Sequence, residues 1–427
     1  MINKTNAREL LDTTLNEIKN KKIFPRQEIY ALLKQSELKH ITCLSGIRRC
    51  GKTYLLFQII KKLIEEKKTT AYINFEDPRF NDSTEQLDIL YQTILENRKE
   101  EGKIYLFLDE IQNIKKWEKW LAAMYEKNIK FYVSGSNASL LAGEFSKSLT
   151  GRHKLSRTYP LDFKQFLDFK EPSLLEEKEK RIIEKTAKIK KYLKEYLQYG
   201  GFPETIFNNR KDLMKDYFED ILTKDIITRH NLKFKQSLKE IAVILLTNIS
   251  SQHSLYSLNK LIQARSINTI KNYLMYMEDA YLIQKVPFFS YSIKKQLSNP
   301  FKIYATDTGM RNAISASFSE DLGKLYENLV AIELTKKYEK ENIYYWKSTK
   351  HEVDFLVKQG SKIVQLIQVC YDTSNADTKK RETEALLKAS KELKCKNLLI
   401  ITEDKEGQEK ISGKTIKYKP LWHWLIE

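Results

Sequence analysis

The first third of the chain alternates short apolar runs with segments of helical periodicity. Apolar runs bounded by turn residues predict buried strands at 40–45, 70–75, 104–108 and 130–134. Apolar residues at helical spacing predict helices between them, at 53–66, 87–97 and 117–126. Strands separated by helices of this length require right-handed crossovers. The pattern therefore predicts an α/β fold built on a parallel sheet with helices on both faces.

The pattern becomes mainly helical near residue 160. Long helices are predicted at 161–169, 174–199 and 211–230, with a Gly-Gly-Phe-Pro break at 200–203. Three short helices across 238–277 precede an extended segment at 281–291, which is the order of a winged helix. From residue 299 helices and strands mix again. The predicted elements there are helices at 325–338 and 378–392, and strands at 343–346, 353–357, 364–371 and 397–402.

Composition limits the class of protein to which the chain can belong. Its 427 residues are too many for one ordinary core, and 41% hydrophobic with 30% charged residues is typical of a soluble globular protein. No stretch approaches the ~18 apolar residues of a membrane span, and residues 1–20 lack the apolar centre of a signal peptide. We therefore expect a cytoplasmic protein without a membrane partner. The four cysteines have neither metal-ligand spacing nor a disulfide pattern, so zinc is not expected.

The formal net charge of +18 is the first indication of a partner. An excess of lysine and arginine attracts polyphosphates, of which nucleic acid is the commonest. Lysine-rich composition is also typical of proteins from AT-rich genomes, and basic runs such as 188–191 are also typical of solvated helix faces. Charge therefore favours contact with DNA but does not establish it.

One segment carries a complete phosphate-binding motif between a predicted strand and a predicted helix. It is Gly46-Ile47-Arg48-Arg49-Cys50-Gly51-Lys52-Thr53, which fits GxxxxGK[ST] at every position. Glycines let backbone N–H groups converge on phosphates, and the helix N-terminus adds its dipole. Lys52 would reach the β and γ oxygens, and Thr53 would give a hydroxyl ligand to Mg²⁺. The motif predicts a P-loop nucleoside triphosphatase, most simply an ATPase.

Acidic and polar residues at the ends of later strands complete this predicted site. Asp109 and Glu110 end an apolar run, where Asp109 would hold Mg²⁺ and Glu110 would polarise the attacking water. Ser136 or Asn137, after the fourth strand, would contact the γ-phosphate or the water, although an ordinary turn also explains them. Arg152 is a candidate arginine finger in cis or from a neighbouring subunit, or else a surface salt-bridge residue.

These segments together resemble a widespread family of bacterial and archaeal AAA-type ATPases whose C-terminal domain is similar to PD-(D/E)XK nucleases. The matching segments are 46–53, 108–112, 134–137, 150–152, 199–204, 304–311 and 326–328. The resemblance covers nearly the whole chain and implies ATP as the nucleotide. It also implies five parts. They are an N-terminal helical extension at 1–25, a P-loop core at 26–160, a helical lid at 161–235, a winged helix at 236–298 and a nuclease-like domain at 299–427.

The predicted winged helix contains a candidate recognition helix. Ser266 is the expected N-cap, and four polar side chains are expected to face outward. These are Arg265, Asn268, Lys271 and Asn272. Such a helix can enter the major groove of DNA, but winged helices also serve as packing or docking modules.

The C-terminal segment departs from the nuclease pattern that the resemblance implies. Glu327 or Glu333 would be the helix acid, and Asp354 fits the strand aspartate. The third element falls on Gln368-Val369-Cys370, where glutamine is a poor Mg²⁺ ligand and cysteine cannot replace the lysine ammonium. Lys347 or Lys350 would have to take over the role of that lysine. We therefore expect a degenerate domain retained for binding or assembly.

Three functions are consistent with these residues. The first is an ATP-driven switch or motor on DNA or a partner protein, in which the γ-phosphate orders the lid and the winged helix. The second is an ATP-gated, metal-dependent nuclease in DNA defence or repair. The third is a signalling or assembly scaffold without nucleic acid. A homo-oligomer is possible in each case, by analogy with AAA proteins.

Overall fold

The computed structural model describes residues 3–98, 101–137, 149–175, 182–208, 212–264, 266–316 and 321–427. The chain divides into two compact units, residues 1–160 and 161–427. In the described part of the chain, no helix is long and apolar enough to cross a membrane.

The first unit is built on a five-stranded sheet in which every strand pairing is parallel. Its strands are β1 (Ile41–Ser45), β2 (Thr69–Asn74), β3 (Ile104–Asp109), β4 (Ile129–Gly135) and β5 (His153–Arg157). Their order across the sheet is β2-β3-β4-β1-β5. The predicted parallel sheet is confirmed, with β5 as an additional edge strand that the sequence analysis did not predict.

Helices cover both faces of this sheet, as predicted. They are α1 (Lys4–Asn20), α2 (Glu28–Lys34), α3 (Lys52–Glu65), α4 (Glu85–Asn97) and α5 (Trp117–Met124). Along β3, Leu106 and Leu108 join a core with α4 and α5, whereas Tyr105 and Phe107 join a second core with α2 and α3. Because strand side chains alternate between faces, the strand contributes to both layers and is apolar throughout.

The second unit begins with helices. They are α6 (Phe163–Lys170), α7 (Ile182–Tyr199), α8 (Pro203–Asn208) and α9 (Asp212–Asp220), which continues into a π-helical segment, Ile221–Thr228. The predicted helix at 174–199 is described from residue 182, and the Gly-Gly-Phe-Pro break separates α7 from α8.

Four helices and a small antiparallel sheet follow; three of the helices precede the strand at 283–287, as predicted, whereas the strands at 252–253 and 301–305 lie outside the predicted extended segment. The elements are α10 (Lys235–Thr247), β6 (Gln252–His253), α11 (Leu255–Ile262), α12 (Ile267–Asp279), β7 (Ile283–Pro287), α13 (Ile293–Ser298) and β8 (Phe301–Ala305). The strand order is β6-β8-β7, so β8 lies in the middle of this sheet.

The C-terminal part is a six-stranded mixed sheet with the order β13-β14-β12-β11-β10-β9. Its strands are β9 (Ile343–Lys347), β10 (Glu352–Gln359), β11 (Lys362–Val369), β12 (Leu398–Thr402), β13 (Gly407–Ile411) and β14 (Lys414–Pro420). The helices are α14 (Thr308–Ile314), α15 (Leu322–Lys337), α16 (Ala376–Leu393) and α17 (Leu421–Ile426). Strands β11, β12 and β14 pair in parallel, and the remaining pairs are antiparallel.

Two of the segments that carry the family resemblance meet in a tight backbone joint. Gly201 N–H donates to Asp307 Oδ2 at 2.7 Å. A Cβ on Gly200 would lie well inside 3.0 Å of the Asp307 carboxylate, and a Cβ on Gly309 would meet the Tyr199 carbonyl oxygen equally closely. Close approach of the two segments therefore explains the glycines at positions 200 and 309.

Candidate nucleotide site

The phosphate loop joins β1 to α3 in a conformation that depends on its glycines. Gly51, the N-cap of α3, has φ of 102°, a left-handed value that glycine adopts without strain. A Cβ on Gly46 would lie well inside 3.0 Å of the Thr158 carbonyl oxygen, which follows β5. Both motif glycines are thus explained by backbone geometry. The loop backbone leads directly into the positive end of α3, as an anion site requires.

Lys52 is the first residue of α3 and is almost fully buried. Its Nζ donates to the carbonyl oxygens of Gly46 at 3.1 Å and Ile47 at 3.3 Å. The same Nζ lies 3.9 Å from Glu110 Oε1. The ammonium therefore contacts the backbone of the phosphate loop, where two of its acceptors are neutral carbonyl oxygens. Phosphate oxygens are stronger acceptors for it because they are charged.

Asp109 receives hydrogen bonds from three surrounding strands or helices. Thr53 Oγ1 and the Tyr72 hydroxyl each donate to Asp109 Oδ2 at 2.7 Å, and Ser134 Oγ donates to Oδ1. Thr53 and Asp109, predicted from different motifs, are therefore in direct contact. Hydroxyl and carboxylate oxygens are the ligands that Mg²⁺ prefers, so this pair fits that ion. Tyr72 and Ser134 were missed by sequence reasoning.

Glu110 is held in an unusual backbone conformation at the end of β3. Its φ of 51° is left-handed, and its N–H donates to Ser134 Oγ at 3.1 Å. Its carboxylate accepts a hydrogen bond from Gln112. Burial raises the pKa of Glu110; the Lys52 charge opposes this shift, and Asp109 adds to it. A buried carboxylate with a raised pKa has the properties of a general base.

The side chains of Arg48, Arg49 and Cys50 differ in their exposure and their contacts. Arg48 forms an ion pair with Glu76 at 2.7 Å, and Arg49 is exposed with φ of 69°. Cys50 is fully buried, and burial raises the pKa of its thiol. The carbonyl oxygen of Cys50 accepts a hydrogen bond from Arg26 Nη1 at 3.0 Å. Arg26 is buried and supports the loop from outside the motif, so it was missed.

Ser136 and Asn137 are buried and follow the carboxyl end of β4. Strand β4 lies between β3 and β1, the two strands that end at Asp109 and at the phosphate loop. Because carboxyl ends of parallel strands meet at one edge, both residues lie at the edge that carries the site.

Arg152 lies at the amino-terminal end of the strands, opposite the carboxyl-terminal end that carries the site. It directly precedes β5, and Ile41 N–H at the start of β1 donates to its carbonyl oxygen at 2.9 Å. In the register of β1 and β5, Arg152 lies at the level of residue 40, six residues before Gly46. At a rise of ~3.3 Å per residue the distance is roughly 20 Å, which an arginine side chain does not span. The strand order therefore excludes a role in cis, whereas a finger in trans and a surface salt-bridge residue are both compatible with it. Its guanidinium stacks 4.9 Å from the Tyr125 ring.

The predicted recognition helix corresponds to α12. Ser266 is its N-cap and accepts from Thr269 N–H at 3.2 Å, as predicted. Asn268, Lys271 and Asn272 are exposed along the helix. Arg265 lies outside the described residues.

The predicted nuclease-like residues Glu327, Asp354 and Gln368 line one cavity of about 430 Å³ in the second unit. Both Lys347 and Lys350 also line it. The alternatives to these residues lie elsewhere. Glu333 pairs with Lys336 at 2.9 Å, and Cys370 belongs to the apolar core of the C-terminal sheet. Within the described residues, no group of three His, Cys, Asp or Glu side chains is arranged to hold a metal ion.

Comparisons with known proteins place these sites in a family. Family models match an AAA domain at residues 38–167, a domain of unknown function (DUF8612) at 190–321 and a domain of unknown function (DUF4143) at 322–424. The uncharacterized protein MJ1544 of Methanocaldococcus jannaschii is 38% identical over 405 residues, covering 90% of this chain and 88% of that protein. An uncharacterized protein of Haemophilus influenzae is 26% identical over 409 residues, covering 93% and 96%.

Solved structures resemble the chain more distantly. The Thermotoga maritima RuvB Holliday junction branch migration motor is 17% identical, with a TM-score of 0.30 over 62% of this chain and 92% of that one. The Aeropyrum pernix ORC2 protein in its ADP form is 13% identical, with a TM-score of 0.35 over 75% and 98%. Both scores are too low to bear on function. The chain belongs to the family of MJ1544, and within it carries a P-loop AAA ATPase domain followed by domains of unknown function.

Proposed function

We propose that this protein is a Mg²⁺-dependent ATPase that acts as a nucleotide-driven switch or motor on DNA or on a partner protein. One observation carries the proposal. Thr53 Oγ1 lies 2.7 Å from Asp109 Oδ2, and Glu110 Oε1 lies 3.9 Å from Lys52 Nζ, so the two halves of the site are assembled. Residues that meet in space from separate motifs are hard to explain by chance.

Each residue of the site has a proposed part in hydrolysis. Lys52 binds the β and γ oxygens, and the backbone N–H groups of the loop hold the phosphates at the start of α3. Thr53 and Asp109 would hold Mg²⁺, which would supply positive charge to the phosphates. Glu110 orients the attacking water and accepts its proton. Ser136 or Asn137 contacts the γ-phosphate or this water.

Steady-state ATP hydrolysis tests this assignment. Glu110→Gln removes the base and should lower kcat by roughly 100-fold or more, because general-base catalysis contributes on that order. Lys52→Ala should abolish hydrolysis by removing the phosphate contact. Glu66→Gln and Lys119→Ala are matched controls on exposed residues of the same unit and should leave the rate unchanged. Hydrolysis at the wild-type rate by Lys52→Ala would refute the proposal.

The small module at 235–305 supports two kinds of partner. Its α12 exposes Asn268, Lys271 and Asn272, which suit phosphate and base contacts in a winged helix. Its α13 region exposes large apolar side chains, Ile293 at 72% and Leu297 at 81%, which suit a protein partner.

Salt dependence separates these partners. If α12 contacts DNA phosphates, affinity should fall steeply with salt, and Lys271→Ala should reduce the slope of log K against log salt by about 1. Lys260→Ala, an exposed lysine on the neighbouring α11, is the control and should leave that slope unchanged. ATP hydrolysis that does not respond to DNA, with no salt-dependent binding, would favour the protein partner.

We also propose that Arg152 completes the site of a second copy of the chain. Arg152 is exposed at the start of the edge strand β5, away from the phosphate loop of its own chain, and this position supports the role. An arginine finger contributes roughly 10³-fold to hydrolysis, so Arg152→Ala alone should be nearly inactive. Mixing it with the equally inactive Lys52→Ala should restore activity, because an intact loop then meets an intact arginine. Wild-type activity of Arg152→Ala alone would exclude the finger.

A further inference from the structure

A buried lysine that no sequence motif indicates lies behind the carboxylates that line the cavity of the C-terminal domain. Lys302 lies on β8, in the middle of the three-stranded sheet, and its side chain is almost fully buried. Tyr304, two residues further on the same strand face, donates from its hydroxyl to Glu327 Oε1 at 2.7 Å. The small sheet thus inserts two side chains among the carboxylates of the nuclease-like domain.

The Lys302 ammonium is surrounded by three carboxylates. Its Nζ lies 2.9 Å from Glu327 Oε1, 2.9 Å from Asp354 Oδ1 and 2.8 Å from Glu352 Oε1. Glu327 and Asp354 accept hydrogen bonds from this ammonium group, and Glu352 forms an ion pair with it. Lys302 therefore occupies the point between the helix acid and the strand aspartate, where the resemblance implies a metal ion.

The electrostatics of the cluster favour a permanent positive charge at this point. Burial alone lowers the pKa of Lys302, but Asp354, Glu327 and Glu352 raise it well above its ordinary value. Burial raises the pKa of Glu327 to about 7, with the Asp354 charge adding to the shift. The lysine is thus charged, and it offsets part of the negative charge of the carboxylates around it.

The third position of the nuclease pattern is also unsuited to a metal. The Gln368 side-chain amide accepts from Asp354 N–H at 3.3 Å and donates to Glu382 Oε2 at 2.5 Å. The second oxygen of Asp354 accepts from Val369 N–H at 3.0 Å. Because the Lys302 ammonium already lies between Glu327 and Asp354, and the third position offers a neutral amide, the residues present do not fit a Mg²⁺ ion, which requires oxygens at ~2.1 Å in octahedral geometry.

We propose that Lys302 is a built-in cation that takes the place of the divalent metal, so that this cavity neither binds Mg²⁺ nor cuts nucleic acid. The lysine comes from the small sheet, whereas the carboxylates come from α15 and β10. The ion cluster therefore joins the small sheet to the C-terminal sheet domain. Acidic residues in a nuclease-like arrangement thus stabilise the contact between these two parts of the fold. Removing the ammonium should leave the carboxylates unbalanced and turn them into a site for a divalent cation.

Mn²⁺ binding to the full chain without nucleotide tests this proposal. An Asp109→Asn background removes the carboxylate of the nucleotide site, so remaining binding reports on the cavity. In this background Lys302→Met should bind one Mn²⁺ per chain, with a Kd roughly tenfold or more below that of the parent. Lys347→Met is the matched control, because Lys347 lines the same cavity but bonds to Gln252 at 2.9 Å. Adding Asp354→Asn to Lys302→Met should abolish the gained binding.

Thermal unfolding provides a second readout if Lys302→Met is unstable. Uncompensated carboxylates should lower its midpoint, and Mn²⁺ should raise the midpoint again, with no such effect on the parent. A folded Lys302→Met that binds no Mn²⁺ would overturn the proposal. So would Mn²⁺ binding by the parent that disappears with Asp354→Asn, a comparison that does not require the lysine variant to fold.

Discussion

Ser134 links the two acidic residues of the nucleotide site, and its removal is a sharp test of how that site is positioned. Its hydroxyl accepts from Glu110 N–H at 3.1 Å and donates to Asp109 Oδ1. Ser134→Ala removes both bonds while leaving every proposed phosphate and metal contact in place. The left-handed backbone of Glu110, with φ of 51°, then loses the side-chain acceptor of its buried N–H.

The expected magnitude follows from these two bonds. A hydrogen bond to a charged group contributes about 1.5–3 kcal/mol, and an unsatisfied buried N–H costs about 1–3 kcal/mol. If roughly half of this energy serves to hold Glu110 and Asp109 in the transition state, the barrier rises by about 1.3–3 kcal/mol. That corresponds to a kcat lowered about 10- to 150-fold.

Steady-state kinetics distinguish this positioning role from a general loss of stability. The KM for ATP should change little, because Lys52 and the loop are untouched, and Ser134→Thr should restore most of kcat. Thr42→Ala is the matched control, since it removes a fully buried hydroxyl of β1 that bonds to Gln35 at 3.4 Å. A Ser134→Ala protein with kcat within twofold of wild type, or equal to that of Thr42→Ala, would refute the reasoning.

Three further predictions concern pH, backbone and thiol chemistry. Because hydrolysis requires the Glu110 carboxylate and burial raises its pKa, kcat should fall on acidification at a higher pH than an ordinary glutamate allows. A pH–rate profile of Glu110→Gln that keeps this limb would contradict the assignment. Gly309→Ala should destabilise the second unit by about 2–4 kcal/mol in chemical denaturation, because its Cβ would overlap the Tyr199 carbonyl. Gly323→Ala, whose Cβ has no neighbour nearer than 3.6 Å, should be neutral or stabilising. Cys50, fully buried with its pKa raised by burial, should resist alkylation until the protein unfolds, as mass spectrometry after iodoacetamide treatment would show.

Periodicity predicted most of the sheet in the first unit, because its central strands are apolar on both faces. Strand β3 is buried along its whole length and was predicted to within one residue. Strand β5 was missed because His153-Lys154-Leu155-Ser156-Arg157 has a single aliphatic residue, and an edge strand needs only one partner. Strand composition therefore reveals central strands more readily than edge strands.

The order of the strands across the sheet could not be predicted from local sequence. Arg152 follows the segments of the nucleotide site in sequence, but the pairing of β5 with β1 places it at the amino edge of the sheet. Tyr72 ends up beside Asp109 because β2 and β3 are neighbours, at a separation of 37 residues. Lys302 lies 52 residues before Asp354 in a different module. A sequence motif identifies residues that are close together along the chain. These contacts join residues that are far apart in sequence, so they depend on tertiary packing.

A comparison of two buried lysines, Lys52 and Lys302, explains why one site is open to a ligand and the other is not. Lys52 bonds to two neutral carbonyl oxygens and lies 3.9 Å from a single carboxylate, so charged phosphate oxygens are better acceptors for it. Lys302 is buried, donates to Glu327 and Asp354 and forms an ion pair with Glu352, so moving it away would leave these carboxylates without their cation. The exchange of partners is therefore favourable at Lys52 and strongly unfavourable at Lys302. We therefore expect the same type of side chain to bind a ligand in the first unit and to hold carboxylates together in the second.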